Sequence, residues 1–404
     1  MPSLVLVVPG RSLRWPADSR AATASRVWAA WYACRGGPIE LCGGLNGQKV
    51  PTTSAQVAPP RVTQCPKFEK VNRNTMVAGG ALATLLLTSG CGGAGAGKPA
   101  ASARPVAHSY RWPLTGQVAF SAPTQTALSV KIDNAPAGRP QSGLNDADLV
   151  FECLVEGGLS RFLAVYQSQG APELGPIRSA RPVDGALLRA LHGGIFAYSG
   201  AATGEIAPAK AYSTAFLLSN DADGRPFERL TSRSAPQNVY SSTAKLRAEA
   251  ARQSAHPGLP SPLFTYGPVV VGSPVSRHVS VVLGSDASAS WVYNGSSYLR
   301  SENGTPHLLA DGQQVRATNV VVLRVQVTHS GITDAAGNED PFVLVYGSGA
   351  AEFFRNGVVE DGHWSRPSVA SPYQFTATRG GALTLSPGPT WIELVPVNGS
   401  VAHS

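Results

Sequence analysis

Leu149-Val150-Phe151-Glu152-Cys153-Leu154-Val155-Glu156-Gly157-Gly158-Leu159-Ser160-Arg161-Phe162-Leu163-Ala164-Val165-Tyr166-Gln167 is the stretch that decides the fold class. Two apolar runs rich in strand formers, Leu149–Glu156 and Arg161–Gln167, flank Gly157-Gly158 and read as a β-hairpin. Upstream, Ala127–Ile132 reads as a strand. Downstream, Asp184–Leu191 reads as a helix ended by Gly193-Gly194. A strand at Ile195–Tyr198 and a helix at Ala244–Gln253 follow. Residues 112–253 therefore read as a mixed α/β domain. The Pro- and Gly-rich run Ser254-Ala255-His256-Pro257-Gly258-Leu259-Pro260-Ser261-Pro262 marks a linker at 254–262. Beyond it, residues 263–404 read as mostly β. The expected strands there are Val269–Val271, His278–Leu283, Ser290–Tyr293, Ser297–Arg300, Asn319–Val327, Phe342–Tyr346, Ala351–Arg355 and Thr390–Val395. Asn294-Gly295 and Asn356-Gly357 suit two-residue hairpin turns. The whole is an α+β chain without a fixed-period repeat.

Composition narrows the function classes. The 404 residues are 43% hydrophobic and 14% charged, which excludes a disordered acidic chain and a coiled coil. No apolar run reaches the roughly 18–20 residues of a membrane-spanning helix. The net charge is +8, but residues 1–90 hold 10 Lys and Arg against 3 Asp and Glu. The remainder is close to neutral and has no basic stripe, so nucleic-acid binding has no support.

Lys67, Lys70 and Arg73 precede an apolar core from Val77 to Leu87, and small residues lead to Cys91. That layout is a secretory signal peptide at residues 71–90. A Cys directly after the cut resembles a bacterial lipoprotein signal, in which Cys91 is lipidated and becomes the mature N-terminus. Thr88 occupies the position three before the Cys, where Leu is usual. Export signals begin a chain, so residues 1–70 read as an upstream extension, with the start at Val71 or Met76. Residues 91–111 form a Gly-, Ala- and Pro-rich tether. Of the five Cys, three fall in the leader, Cys91 takes the lipid, and Cys153 remains as a small core side chain. No disulfide framework is expected.

Several motifs carry a resemblance. Lys131-Ile132-Asp133-Asn134, Ala137-Gly138-Arg139-Pro140-Gln141-Ser142-Gly143-Leu144, Ala147-Asp148-Leu149-Val150, Val155-Glu156-Gly157-Gly158-Leu159-Ser160-Arg161-Phe162 and Gly175-Pro176-Ile177-Arg178-Ser179-Ala180-Arg181-Pro182 resemble the YerB-like lipoproteins (DUF3048). In the second half, Gly304-Thr305-Pro306-His307, Thr318-Asn319-Val320-Val321-Val322, Trp364-Ser365-Arg366-Pro367 and Leu385-Ser386-Pro387-Gly388-Pro389-Thr390-Trp391-Ile392 fit as well. The likeness covers residues 112–397. It implies a two-domain, membrane-anchored bacterial lipoprotein on the extracytoplasmic face, with no established activity.

The foremost site candidate is Arg178-Ser179-Ala180-Arg181-Pro182-Val183-Asp184. Two Arg beside a helix start, with Pro182 at the first helical position, make an anion-binding geometry. Internal pairing of these Arg with Asp133, Glu152 or Glu156 is the other use. Glu152 and Glu156, four apart, would share one face of a strand. They could serve as acid and base, neutralise Arg161, Arg178 and Arg181, or face solvent. The loop Arg139-Pro140-Gln141-Ser142-Gly143 could line a cleft with Asp133 and Asn134. The preferred reading is a binding or scaffold module with a cleft lined by Arg139, Arg178 and Arg181. It would recognise an anionic envelope polymer, anionic lipid or envelope protein. The alternative is a wall-polymer enzyme using Glu152 or Glu156 with Arg178 and Arg181.

Other patterns fall away. Ser242-Thr243-Ala244-Lys245 has the Ser-x-x-Lys spacing of penicillin-recognising enzymes, but their companion motifs are absent. Gly92–Lys98 lacks the Ser or Thr of a phosphate loop, since Pro99 follows. The His residues have no metal-site spacing, and neither metal nor cofactor is expected. Trp112, Trp291, Trp364 and Trp391 suit core packing or sugar stacking. His307 suits packing or a cleft.

Overall fold

The computed structural model describes residues 4–8, 11–15, 40–41, 109–333 and 337–404. The expected signal at 71–90, Cys91, and all but the last residues of the tether lie outside these. The chain forms two compact units, residues 1–98 and 99–404. In the first, Leu4–Val8 pairs antiparallel with Arg11–Trp15 and with Glu40–Leu41. The Val-rich run supplies a strand signal that the scattered Trp and Cys nearby obscure.

The second unit is built on one long mixed sheet. Its first half contributes β1 (Leu128–Asp133), β2 (Leu149–Leu154), β3 (Ser160–Tyr166), β4 (Ile195–Tyr198) and β5 (Phe216–Ser219). Helices α1 (Pro182–Ala190), α2 (Thr203–Tyr212) and α3 (Thr243–Arg252) belong to the same half. The second half contributes β6 (His278–Gly284), β7 (Ala287–Tyr293), β8 (Tyr298–Glu302), β9 (Asn319–Thr333), β10 (Glu339–Leu344), β11 (Gly347–Arg355), β12 (Val358–Arg366), β13 (Gln374–Ala377), β14 (Thr390–Pro396) and β15 (Ser400–His403). The strand order is β5-β4-β1-β3-β2-β14-β9-β11-β12-β13, with β10 paired to β9. A second, antiparallel sheet runs β8-β7-β6-β15.

The seam is the parallel pairing of β2 with β14, Leu149 opposite Thr390 through Glu152 opposite Glu393. Residues 254–262 carry no helix or strand, as a connection should. The halves that they connect share one sheet. β14 is buried at all seven positions because it lies mid-sheet with packing on both faces. One face carries α1 and α2 with Leu149, Phe151, Cys153, Leu163 and Val165. The other carries the second sheet with Val150, Phe162, Ala164 and Trp391.

Local signals explain most elements. The β2–β3 hairpin forms as expected, and Gly157 (φ 69°) and Gly158 (φ 71°) take left-handed backbone in its connection. α1 starts with Pro182, and Asp184 Oδ2 accepts from the Arg181 N–H at 2.7 Å. Ser242 Oγ accepts from the Lys245 N–H at 3.1 Å, so Ser242-x-x-Lys245 is the N-cap of α3. Asn356-Gly357 makes the expected two-residue turn between Arg355 and Val358, with both φ positive. Asn294-Gly295 instead sits in a four-residue turn between Tyr293 and Tyr298, held by the Asn294 side chain. Val269–Val271 is not a strand; Val270 and Val271 stand exposed between Pro268 and Pro274.

Candidate functional site

Strand parity sorts the candidate residues onto two faces of the sheet. β2 ends at Leu154, and Val155 leads into a tight turn at Glu156–Gly158. Glu152 and Glu156 therefore do not share a face. Glu152 points to the second sheet with Val150, and Glu156 joins the helix side with Arg161.

On the helix side, Glu156 is the hub. Arg161 Nη2 donates to its Oε1 at 2.7 Å. Arg181 donates to Oε2 from Nε at 2.7 Å and to Oε1 from Nη2. Burial alone would raise this carboxyl, but the Arg181 hydrogen bond and the two guanidinium charges outweigh it and hold it at about 2. Arg178 Nε donates to Asp133 Oδ2 at 3.1 Å, and Arg161 lies 3.9 Å from Asp133. Arg181 also meets Glu205 at 3.1 Å and Asp340 at 3.3 Å. Asp340, on β10, is buried, and among the described residues neither of its carboxylate oxygens finds a hydrogen-bond partner. Burial, with Glu156 and Glu205 nearby, pushes its carboxyl up to about 7 despite Arg181. Beneath lies a buried pair, Lys131 Nζ with Asp184 Oδ1 at 2.7 Å. Lys131 also donates to Cys153 Sγ at 3.4 Å. Burial pushes the Cys153 thiol up to about 11 against the pull of Lys131, so it is protonated and inert. The core reading of Cys153 fits this.

On the other side, a polar circuit crosses the seam. Arg300, fully buried on β8, donates to Glu152 Oε2 at 2.6 Å and to Glu302. Ser160 Oγ donates to Glu152 Oε1 at 2.6 Å, and Asn134 Nδ2 donates to Ser160 Oγ at 2.8 Å. Gln141 Nε2 donates to Asn134 Oδ1 at 3.1 Å, and its Oε1 lies 2.8 Å from His307 Nε2. His307 Nδ1 lies 2.6 Å from Arg300, which closes the ring. Burial, with Arg300 and Arg139, drives His307 well below its usual range, so the imidazole is neutral. The Arg300 guanidinium also sits 5.0 Å from the Trp391 ring centroid and 5.4 Å from that of Phe162. Glu393, opposite Glu152 in the seam, accepts from Trp291 Nε1 at 2.9 Å. Burial and the charge of Glu152 raise its carboxyl well above the usual range.

This circuit floors a cavity of about 560 Å³ lined from both halves, by Arg139 and Pro140 on one side and by residues such as Glu302, Pro306, His307 and Leu309 on the other. Arg139 uses Nε and Nη2 on Asn134 and Glu302, the latter at 3.2 Å. Among the described residues its Nη1 meets no acceptor, and the side chain is 22% exposed. A second cavity of about 500 Å³ beside β13 has no charged lining residue.

The expected single cleft of Arg139, Arg178 and Arg181 is thus divided. Arg178 and Arg181 take the internal-pairing use on the helix side, where Ser179 is half-buried, and Arg139 lines the seam cavity. Ser142 Oγ is engaged by Glu173 at 2.7 Å. Trp291, Trp364 and Trp391 are core residues. Arg300, Glu302, Glu393, Asp340 and Glu205 were not anticipated. The signal for Arg300 and Glu302 was alternation with Tyr298, which places all three inward on β8. The signal for Glu393 was a lone acid within the apolar run Trp391-Ile392-Glu393-Leu394-Val395.

Comparison with known proteins agrees with this architecture. The family described as a protein of unknown function (DUF3048) matches by its N-terminal domain at residues 114–256 and by its C-terminal domain at residues 279–392. The Bacillus subtilis protein named "Putative lipoprotein YerB" is 30% identical over 296 residues, covering 70% of this chain and 86% of that protein. The crystal structure of YerB from Bacillus subtilis superposes with a TM-score of 0.62 at 25% identity, over 72% of this chain and 99% of that one.

Proposed function

The chain belongs to the DUF3048 family, and from that premise we propose that it is a membrane-tethered extracytoplasmic binding protein whose ligand enters the seam cavity. The relative's name and the residues before Cys91 support a lipid anchor at that Cys and a place on the outer face of a bacterial cell membrane. The cavity carries the binding reading. Both halves line it, and Arg139 presents an unused guanidinium nitrogen beside the apolar walls Pro140, Pro306 and Leu309. That pairing suits an anionic group attached to a partly apolar body, such as a phosphate- or carboxylate-bearing fragment of an envelope polymer. The enzyme alternative has weaker support. Glu152 is sealed against Arg300. Glu156, held at about 2, is no proton donor at neutral pH.

The test is a thermal-shift panel of soluble envelope fragments, including muropeptides and teichoic- and arabinogalactan-type oligomers, on the unit from Pro99 onward. A fragment should raise the melting temperature of the wild type, and Arg139→Ala should abolish the rise. Arg139→Lys, which keeps the charge but not the planar fork, should retain part of it. A rise that survives Arg139→Ala removes the cavity from the account.

A further inference from the structure

Among the described residues, exposed apolar side chains gather in two stretches, 110–120 and 259–275. Tyr110–Arg111 pairs antiparallel with Val118–Ala119, and Tyr110, Val118 and Phe120 are exposed, Phe120 completely. The stretch after α3 adds Leu259, Val271 at 97% exposure and Val275 at 72%. The two stretches meet. Tyr266 Oη donates to the Leu114 carbonyl, and Gly116 (φ 66°) lies so close to the Tyr266 ring that a Cβ there would clash. Thr126 Oγ1 donates to the Gly258 carbonyl at 2.8 Å. Charge follows the same boundary. No Asp or Glu lies between Cys91 and Asp133, or between Gln253 and Asp286, while Arg111 and Arg277 fall within those spans.

We propose that this paired surface, the 110–120 hairpin with the 259–275 loop, docks on an anionic phospholipid bilayer. Large side chains exposed on loop tips gain by entering the acyl boundary, and the two sequence spans that carry them hold Arg111 and Arg277 and no Asp or Glu of their own to repel anionic headgroups. Chain continuity favours a bilayer over a second protein copy. Tyr110 follows Cys91 by 19 residues, a reach of about 60 Å when extended. An anchor at Cys91 would hold this surface, ahead of the rest of the unit, near the membrane. That last point rests on the anchor proposed above; the docking test does not.

The experiment uses the unlipidated unit from Pro99 onward, which contains all of the described core clusters; the solved relative has the equivalent fold. Flotation with phosphatidylglycerol vesicles should carry the wild type upward, and phosphatidylcholine vesicles should carry less. Phe120→Ser and Val271→Asp should each cut vesicle partitioning about tenfold. Neither should move the melting temperature, since both side chains are exposed. Arg139→Ala should float as the wild type does, which separates this surface from the cavity. Wild-type protein that stays off phosphatidylglycerol vesicles, or variants that float equally well, overturns the assignment. So does vesicle-independent dimerisation abolished by Val271→Asp.

Discussion

Replacing Arg300 by Met should weaken the seam more than its size suggests. Arg300 is fully buried and meets both Glu152, at 2.6 Å, and Glu302, so the change strands two buried carboxylates. Removing one partner of a buried pair costs about 3–5 kcal/mol. Glu152 keeps its bond from Ser160 and Glu302 keeps Arg139, which favours the lower end of that range. A loss of about 3 kcal/mol corresponds to roughly 5 °C in melting temperature for a unit of this size. Burial already raises the Glu302 carboxyl against the pull of Arg300, and losing Arg300 raises it further. The folded variant then binds a proton that the unfolded chain releases near its ordinary pKa of about 4.3. Its stability falls as pH rises through the raised folded value, so the deficit is larger at pH 8 than at pH 5. The triple variant Glu152→Gln, Arg300→Met, Glu302→Gln removes the stranded charges and should recover most of the loss. Urea denaturation at both pH values measures all of this. A single variant within about 1 kcal/mol of wild type, or a triple variant no better than the single one, would show that Arg300 does not hold the two buried carboxylates in place.

Four further outcomes are expected. Arg181→Ala should destabilise by about 3 kcal/mol, because it strips Glu156, Glu205 and Asp340 of a shared cation; denaturant midpoints check this. The stability that Glu156 adds should be present above about pH 4.3 and lost as pH falls toward its folded value of about 2, and Glu156→Gln should flatten that acid limb. Asp340, raised to about 7, acts in the opposite sense. Its contribution fades as pH climbs from about 4 through the folded value, so Asp340→Asn should gain stability at pH 8 relative to pH 5, on the order of 2 kcal/mol. Cys153 should react with a thiol reagent only at the rate of unfolding, read by absorbance against denaturant concentration, since it is buried and its pKa is about 11.

Much of the first half was legible because its signals are local. The Gly157-Gly158 hairpin, the Pro182 helix start and the Gly193-Gly194 stop each act within a few residues. α2 was missed because Pro208 falls inside it and its apolar positions form no clear stripe. β12 and β13 were missed because polar residues alternate through strands at one end of the long sheet. The candidate site was harder. Arg161, Arg178, Arg181 and Glu156 were found together by type and spacing. Their partners Glu205 and Asp340 come from elements that only tertiary packing brings near. The β2–β14 seam, which joins residues about 240 apart in sequence, leaves no local trace. It is also what creates the Arg300 circuit and divides Arg139 from Arg178.

The proposed role of the seam cavity is to bind an anionic envelope fragment without transforming it. Its most direct test is a calorimetric titration of the best-shifting fragment into wild-type and Arg139→Ala protein, with the mass of the recovered fragment measured afterwards. We expect saturable binding to the wild type, at least tenfold weaker binding to the variant, and an unchanged mass. Equal binding by both proteins, or a fragment of altered mass, would contradict it.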